Sequence, residues 1–212
     1  MLRFNKFFPA EVLTFVTDKR INFALPKEGH PFTEGQQQFL KTVLNGAECG
    51  VVNVRQVHGR RVVLGSPKYL KRKAISRADA VVTNIPYLPI AVRTADCLPV
   101  FIFDPKRKAI GVVHAGWKGT KKEVVPAAVQ LMQEKFRSSP KDLKIAFGPS
   151  IKDCCYQVGK EFKRHFPKDV KATSKGLYLD LPTANRRQLV SLGVPEKNIL
   201  DGGACTFCSG KF

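Results

Sequence analysis

Between Gly50 and His114 the apolar positions come in short β-branched runs separated by Gly, Pro and Asn: Val51–Val57, Arg61–Leu64, Ala80–Thr83, Ile90–Thr94, Leu98–Phe103 and Ala109–His114. Runs of that length and composition predict strands. Ala109-Ile110-Gly111-Val112-Val113 is apolar at successive positions, so both faces of that strand need cover and it belongs in the middle of a sheet. It ends on His114. Beyond Ala115-Gly116 the period changes, and Val124, Val125, Ala128, Leu131, Met132 and Phe136 fall on one helical stripe. Thr120-x-x-Glu123 reads as its capping box, although Pro126 removes an intrahelical bond and pushes the predicted start about a turn later. Further along, the pattern predicts a strand at Leu143–Phe147, a helix around Gly159–Phe166, a strand at Leu177–Leu181 and a helix near Thr183–Leu192. Asp180 with Pro182 supplies the start of that last helix, and Gly193 followed by Pro195 its stop.

Loosely alternating strands and helices make an α/β protein, and 212 residues fit one domain, because a single core can grow to roughly 250 residues before a chain divides. No repeat, low-complexity tract or linker interrupts residues 1–212. No stretch is apolar enough to span a bilayer, and Pro9 and Glu11 break any signal-peptide core near the N-terminus. Six cysteines are too few for a disulfide scaffold in a chain this long and read as reduced thiols of a cytoplasmic protein. The net charge of +19 would suit a polyanion, and Lys68–Lys73, Lys106–Lys108 and Lys118–Lys122 are local basic clusters. They are scattered and no stacking aromatics interleave them, which favours solvated lysine faces over a nucleic-acid footprint.

Three residues invite chemistry. Period-two alternation puts Val52, Val54, Gln56 and His58 on one strand face, with Gly59 opening a turn. Thr94-Ala95-Asp96-Cys97-Leu98-Pro99 places a thiol beside a carboxylate between two strands. His114-Ala115-Gly116-Trp117 sets an imidazole where a buried strand ends and a helix begins, a common position for functional groups in α/β sheets. A lone histidine capping a strand or a lone buried cysteine is ordinarily structural. Together, two His and one Cys would suit zinc with a fourth position left for water or substrate. Their separations of 39 and 17 residues are too wide for a zinc finger. Cys205-x-x-Cys208 has no second half at zinc-site spacing and reads as structural, as does the adjacent pair Cys154-Cys155, while Cys49 has no assigned role.

Gln56-Val57-His58-Gly59, Ala78-Asp79-Ala80, Thr94-Ala95-Asp96-Cys97-Leu98-Pro99-Val100, His114-Ala115-Gly116-Trp117, and Gly148-Pro149-Ser150-Ile151 followed by Cys154-Cys155-Tyr156 occur in order. This series, over roughly Val51 to Cys205, resembles the laccase-domain, or polyphenol-oxidase-like, purine nucleoside phosphorylase family, also called the peptidoglycan editing factor family. The resemblance implies a layered α/β/β/α sandwich with mixed sheets, similar to cytotoxic necrotizing factor catalytic domains, and implies that His58, Cys97 and His114 are metal ligands. It implies phosphorolysis of adenosine, inosine, guanosine and methylthioadenosine, with deamination of adenosine at the same site. Zinc is the expected cofactor and copper less so. The expected partners are a purine nucleoside and phosphate, and a monomer is favoured.

Within that expectation Asp79 and Asp96 are the carboxylates that could shuttle a proton or orient a ligating imidazole. Lys118, Thr120 and Gln56 are the candidates for holding phosphate and substrate, although relatives usually carry Arg where Lys118 stands, which loses a bidentate grip. The family's Thr-Arg followed by Gly-Gly-Val-Ser is replaced by Thr17-Asp18-Lys19-Arg20 without a glycine pair, and its Ser-Tyr-Arg-Arg segment does not occur before Phe212. Two other chemistries compete. Cys97 could be the nucleophile of an amidohydrolase editing peptidoglycan precursors, with His58 or His114 as base. A copper polyphenol oxidase fits poorly, since only His30 and His165 remain besides the two motif histidines.

Overall fold

The computed structural model describes residues 1–20, 34–44, 50–70 and 77–210. In chain order the described elements begin with β1 (Leu2–Arg3), β2 (Phe15–Val16), α1 (Glu34–Val43), β3 (Val52–Asn53), β4 (Val62–Leu64), β5 (Ala80–Thr83), β6 (Ile90–Ala91), β7 (Leu98–Asp104) and β8 (Ala109–Ala115). They continue with α2 (Trp117–Lys121), α3 (Val124–Phe136), β9 (Lys144–Phe147), β10 (Gln157–Val158), α4 (Phe162–His165), β11 (Val170–Thr173), β12 (Gly176–Leu179), α5 (Leu181–Ser191) and β13 (Ile199–Asp201). The principal sheet is six-stranded and mixed, in the order β13-β9-β7-β8-β5-β4.

The doubly apolar run becomes β8, between β7 and β5 as expected. Alternation then divides its side chains. Val113 and Ala115, with Ala80, Val82, Leu98, Val100 and Ile102, face Val124, Val125, Ala128, Val129 and Met132 of α3 and Leu189 of α5. Val81 and Val112 face Val52, Val54 and Leu88 on the other side, and Phe103 and Ala146 face Phe4 and Phe8. Phe39 of α1 stands 6.1 Å from Phe15 of β2 between ring centroids. The result is a mixed α/β fold with helices and a second, smaller strand layer on opposite faces of the main sheet.

Several boundaries differ from the pattern-based expectation, each for a local reason. The strand expected over Val51–Val57 shrinks to Val52–Asn53 because the N–H groups of Val57, His58 and Gly59 turn to the Asp79 carboxylate instead of a neighbouring strand. The strand expected over Ile90–Thr94 stops at Ala91, with the backbone of Arg93 paired to the Gln56 side-chain amide. The helix around Gly159–Phe166 contracts to the single turn Phe162–His165.

The Thr120 capping box does not form. Thr120 lies in α2, Glu123 caps α3 in a left-handed conformation without a side-chain bond, and Pro126 falls in the first turn of α3. There its missing N–H costs nothing, since first-turn N–H groups have no intrahelical partner. The signals around α5 hold. Asp180 accepts from Thr183 N at 3.0 Å, and Gly193, with φ of 91°, ends the helix. Gly193 N donates to Val190 O at 2.9 Å and Val194 N to Leu189 O at 3.1 Å, a Schellman motif sealed by buried Leu189 and Val194.

Candidate metal centre

Strand register decides which chemistry-bearing residues meet. Leu98 pairs with Ala115, Ala80 with Val113, and Val62 with Ala80. The start of β4, the start of β5, the start of β7 and the end of β8 therefore share one end of the sheet. His58 precedes β4, Asp79 precedes β5, Cys97 precedes β7 and His114 lies near the end of β8. The donor atoms of His58, Cys97 and His114 lie within 4.8 Å of one another, and the two imidazole centroids are 4.7 Å apart. His114 is buried, Cys97 half-buried and His58 exposed, so the cluster has a closed floor and an open side.

Asp79 organises the floor. It is fully buried, and its Oδ1 lies 2.9 Å from His114 Nδ1. Its oxygens also accept from His58 N at 2.9 Å, Gly59 N at 2.7 Å and Val57 N at 3.2 Å. An ionised carboxylate only accepts, so the proton on His114 resides on Nδ1 and Nε2 is the nitrogen presented to a ligand. Burial pushes the Asp79 carboxyl up, but the His114 bond and the Gly59 and Val57 N–H groups outweigh it, so the group titrates below the usual carboxylate range. With no metal bound, burial lowers His114, while hydrogen bonds to Asp79 and Cys97 raise it further, to about 9. His58 is lowered by burial and by the charge of His114.

Two backbone features shape the rest. His58 and Asp96 occupy the left-handed region with φ of 53° and 76°, uncommon for residues other than glycine and held here by the surrounding hydrogen bonds. Gly116 passes so close that a Cβ there would meet Cys97 Sγ at 2.7 Å and His58 Nδ1 at 3.0 Å. Only glycine leaves this floor open. Two imidazoles and a thiol, one imidazole fixed by a carboxylate, are the donor set of a catalytic zinc site with a position to spare, and the residues present fit that ion.

The other predicted residues divide. Asp96 is exposed at the rim, where its Oδ1 accepts from Thr206 Oγ1 at 2.6 Å and its carbonyl from Ile151 N at 2.8 Å. Lys118 is exposed, its Nζ 5.5 Å from the Trp117 ring, and its charge contributes to lowering His58. Gln56 is engaged at both ends, accepting from Arg93 N at 2.8 Å and donating to Arg93 O at 2.6 Å. Thr120 is fully buried, and its hydroxyl receives Asn185 Nδ2 at 3.0 Å. Gln56 and Thr120 thus act as internal braces, and neither hydroxyl nor amide is offered to solvent-borne phosphate.

Sequence reasoning gave no role to Tyr156, which lies near enough to Cys97 and Asp96 to feel their charge; burial first, then those charges, push its phenol up to about 12. The cysteines read separately as structural meet as well. Sγ atoms of Cys154, Cys155, Cys205 and Cys208 all lie within 4.8 Å of one another. Spacing of about fifty residues between two pairs carried no such signal, and the parallel pairing of β13 with β9 creates it. Cys49 and His30 lie outside the described residues, and His165 sits apart in α4, 3.3 Å from Lys121 Nζ.

Residues 32–212 match the family model described as multi-copper polyphenol oxidoreductase laccase. The chain belongs to this family. It is 38% identical over 131 residues to a purine nucleoside phosphorylase of Aquifex aeolicus, covering 62% of this chain and 60% of that one. It is 33% identical over 174 residues to adenosine deaminase RL5 from an unknown prokaryotic organism, covering 74% and 66%. YlmD of Geobacillus stearothermophilus superposes with a TM-score of 0.78 at 30% identity, over 84% of this chain and 72% of YlmD. The chain thus spans less than two thirds of the length of these curated relatives. No described helix is long and apolar enough to cross a membrane.

Proposed function

We propose that this laccase-family chain is a zinc-dependent purine nucleoside phosphorylase that also deaminates adenosine at the same site. The observation that carries the reading is the solvent-open His58–Cys97–His114 cluster with Asp79 locked beneath it. Relatives named purine nucleoside phosphorylase and adenosine deaminase support it. Zinc held by His58, Cys97 and His114 would supply Lewis acidity and an activated water at neutral pH.

The chain's own groups have separate tasks. Asp79, with its oxygens taken up by four donors, orients His114 and is not a proton shuttle. Asp96, at the exposed rim beside Cys97, is the carboxylate positioned to carry a proton to or from the purine. Lys118 offers an exposed cation next to the cluster for phosphate, as a point charge without a bidentate fork. Copper oxidase chemistry is disfavoured by a total of four histidines.

A second reading has its own observation: Asp79, His114 and Cys97 are linked by hydrogen bonds in series, the order of an orienting carboxylate, a base and a thiol nucleophile. That arrangement would serve an amidohydrolase acting on peptidoglycan precursors if Cys97 carried no metal. Incubating the metal-assayed protein with adenosine, with and without phosphate, beside Cys97→Ala decides between them. Phosphate-dependent adenine release, or phosphate-independent inosine formation, lost in the variant and proportional to bound zinc, supports the purine enzyme. A metal-free, rapidly alkylated Cys97 with no purine turnover favours the amidohydrolase.

A further inference from the structure

Two loops leave the same end of the main sheet as the metal centre, because β9 runs antiparallel to β7 with Phe147 opposite Val100, and β13 runs parallel to β9 with Asp201 opposite Phe147. The loop after β9 carries Cys154 and Cys155, and the loop after β13 carries Cys205 and Cys208. They are zipped together: Ser150 N donates to Ala204 O at 3.2 Å, Thr206 N to Ser150 O at 3.1 Å, and Lys152 Nζ pairs with Asp201 at 2.7 Å. In the first loop, the tight turn that brings Cys155 N to Lys152 O at 2.8 Å sets two neighbouring thiols against the same partner loop.

We propose that Cys154, Cys155, Cys205 and Cys208 form a second metal site, a closed four-thiolate zinc site distinct from the His58–Cys97–His114 centre. Four sulfurs each about 2.3 Å from a tetrahedral zinc stand about 3.8 Å apart. Cys154 Sγ and Cys208 Sγ are 3.8 Å apart, and none of the four sulfurs is farther than 4.8 Å from another. A disulfide needs about 2.05 Å between sulfurs, so the Cys154–Cys208 separation is that of co-ligands and not of a bonded pair. An iron–sulfur cluster distributes its cysteines over several irons and holds them farther apart than this group.

With four thiolates the ion has no open position, so its work is structural. Both loops that it joins also hold the Cys97 turn: Ile151 N donates to Asp96 O at 2.8 Å and Thr206 Oγ1 to Asp96 Oδ1 at 2.6 Å. The second site clamps the wall on which Cys97 is presented.

Elemental analysis of the untagged chain, with Cys97→Ala and Cys154→Ser/Cys208→Ser beside it, tests the assignment. Cys97→Ala retains one zinc per chain, and cobalt exchanged into that variant shows strong sulfur-to-metal charge transfer and a tetrahedral visible spectrum. In the unmutated chain, the four thiols of this site, together with Cys97 where it too holds zinc, become reactive only after a strong chelator is added, a reading that does not depend on a variant folding. Cys97→Ala without metal, thiols equally reactive before and after chelation, or the mass deficit of a disulfide in the unmutated chain would each overturn the proposal. Failure of purine turnover leaves these readings untouched, so the two assignments fail separately.

Discussion

Replacing Asp79 by Asn tests the reading of the centre most directly, because it keeps the shape and removes the charge. Asp79 is fully buried and accepts from His114 Nδ1, His58 N, Gly59 N and Val57 N. An amide has one accepting oxygen and one NH2 that only donates. With the oxygen toward His114 and His58, the NH2 confronts the N–H of Gly59. Flipped, it confronts His114 Nδ1, which must then shed its proton to Nε2 and withdraw that nitrogen from the metal. Either orientation loses at least one charge-assisted bond worth about 1.5–3 kcal/mol and leaves a buried donor unsatisfied at about 1–3 kcal/mol. The sum, on the order of 2.5–6 kcal/mol, corresponds to a melting point lower by about 5–24 °C for a chain of this size. Zinc affinity at the His58–Cys97–His114 site falls about 10- to 100-fold. Thermal unfolding of chelated protein reads the first effect, and competition with a zinc-binding dye in Cys154→Ser/Cys208→Ser, where only this site remains, reads the second. An Asp79→Asn protein with unchanged melting point and unchanged affinity refutes the role given to the carboxylate.

Gly116→Ala places a methyl group 2.7 Å from Cys97 Sγ, and the expected outcome is a folded chain whose zinc affinity at this centre is at least about tenfold weaker, measured by the same dye competition. Met132→Ala, in the core between α3 and the sheet, should cost about 2–5 kcal/mol in urea unfolding while zinc content stays at the unmutated level. Asp180→Ala removes the bond from Thr183 N and should cost about 1 kcal/mol. Burial raises the Asp180 carboxyl, but the Thr183 N–H and Lys171 lower it more, so its folded value lies below the unfolded one. Its contribution is therefore present above the unfolded value, near 4, and disappears as pH falls through the folded value. The stability gap between the unmutated chain and Asp180→Ala, measured by unfolding from pH 7 downward, should narrow below about pH 4; a gap constant to pH 2 would contradict the assignment.

Elements whose signals are local were legible in the chain. β8 is apolar on both faces because it is flanked on both sides, and α5 begins and ends where Asp180, Pro182 and Gly193 dictate through bonds that span only a few residues. Period alone failed where a side chain from far along the chain took the backbone's hydrogen bonds. Asp79 claimed the N–H groups of residues 57–59, and Gln56 those of Arg93, so two expected strands broke off early. Thr120 fits the capping-box pattern, yet Asn185, 65 residues away, holds its hydroxyl.

The same division runs through the chemistry. Residue types and ordered motifs singled out His58, Cys97 and His114, because thiols and imidazoles are scarce in this chain and have few roles besides packing and ligation. Whether those donors meet is a matter of strand register, which pairs residues 98 with 115 and 80 with 113. Register also sets Asp79 and Asp96 apart: one is sealed beneath His114, the other is left at the rim. The four clustered cysteines were not legible as one site in sequence, since Cys205-x-x-Cys208 has the spacing of half a zinc site but the adjacent pair Cys154-Cys155 does not have that of the other half. The parallel pairing of the edge strand β13 with β9, 54 residues apart along the chain, brings the sulfurs to within ligand distance. Donor chemistry is written residue by residue, but a site is a set of distances, and only the folded sheet sets them.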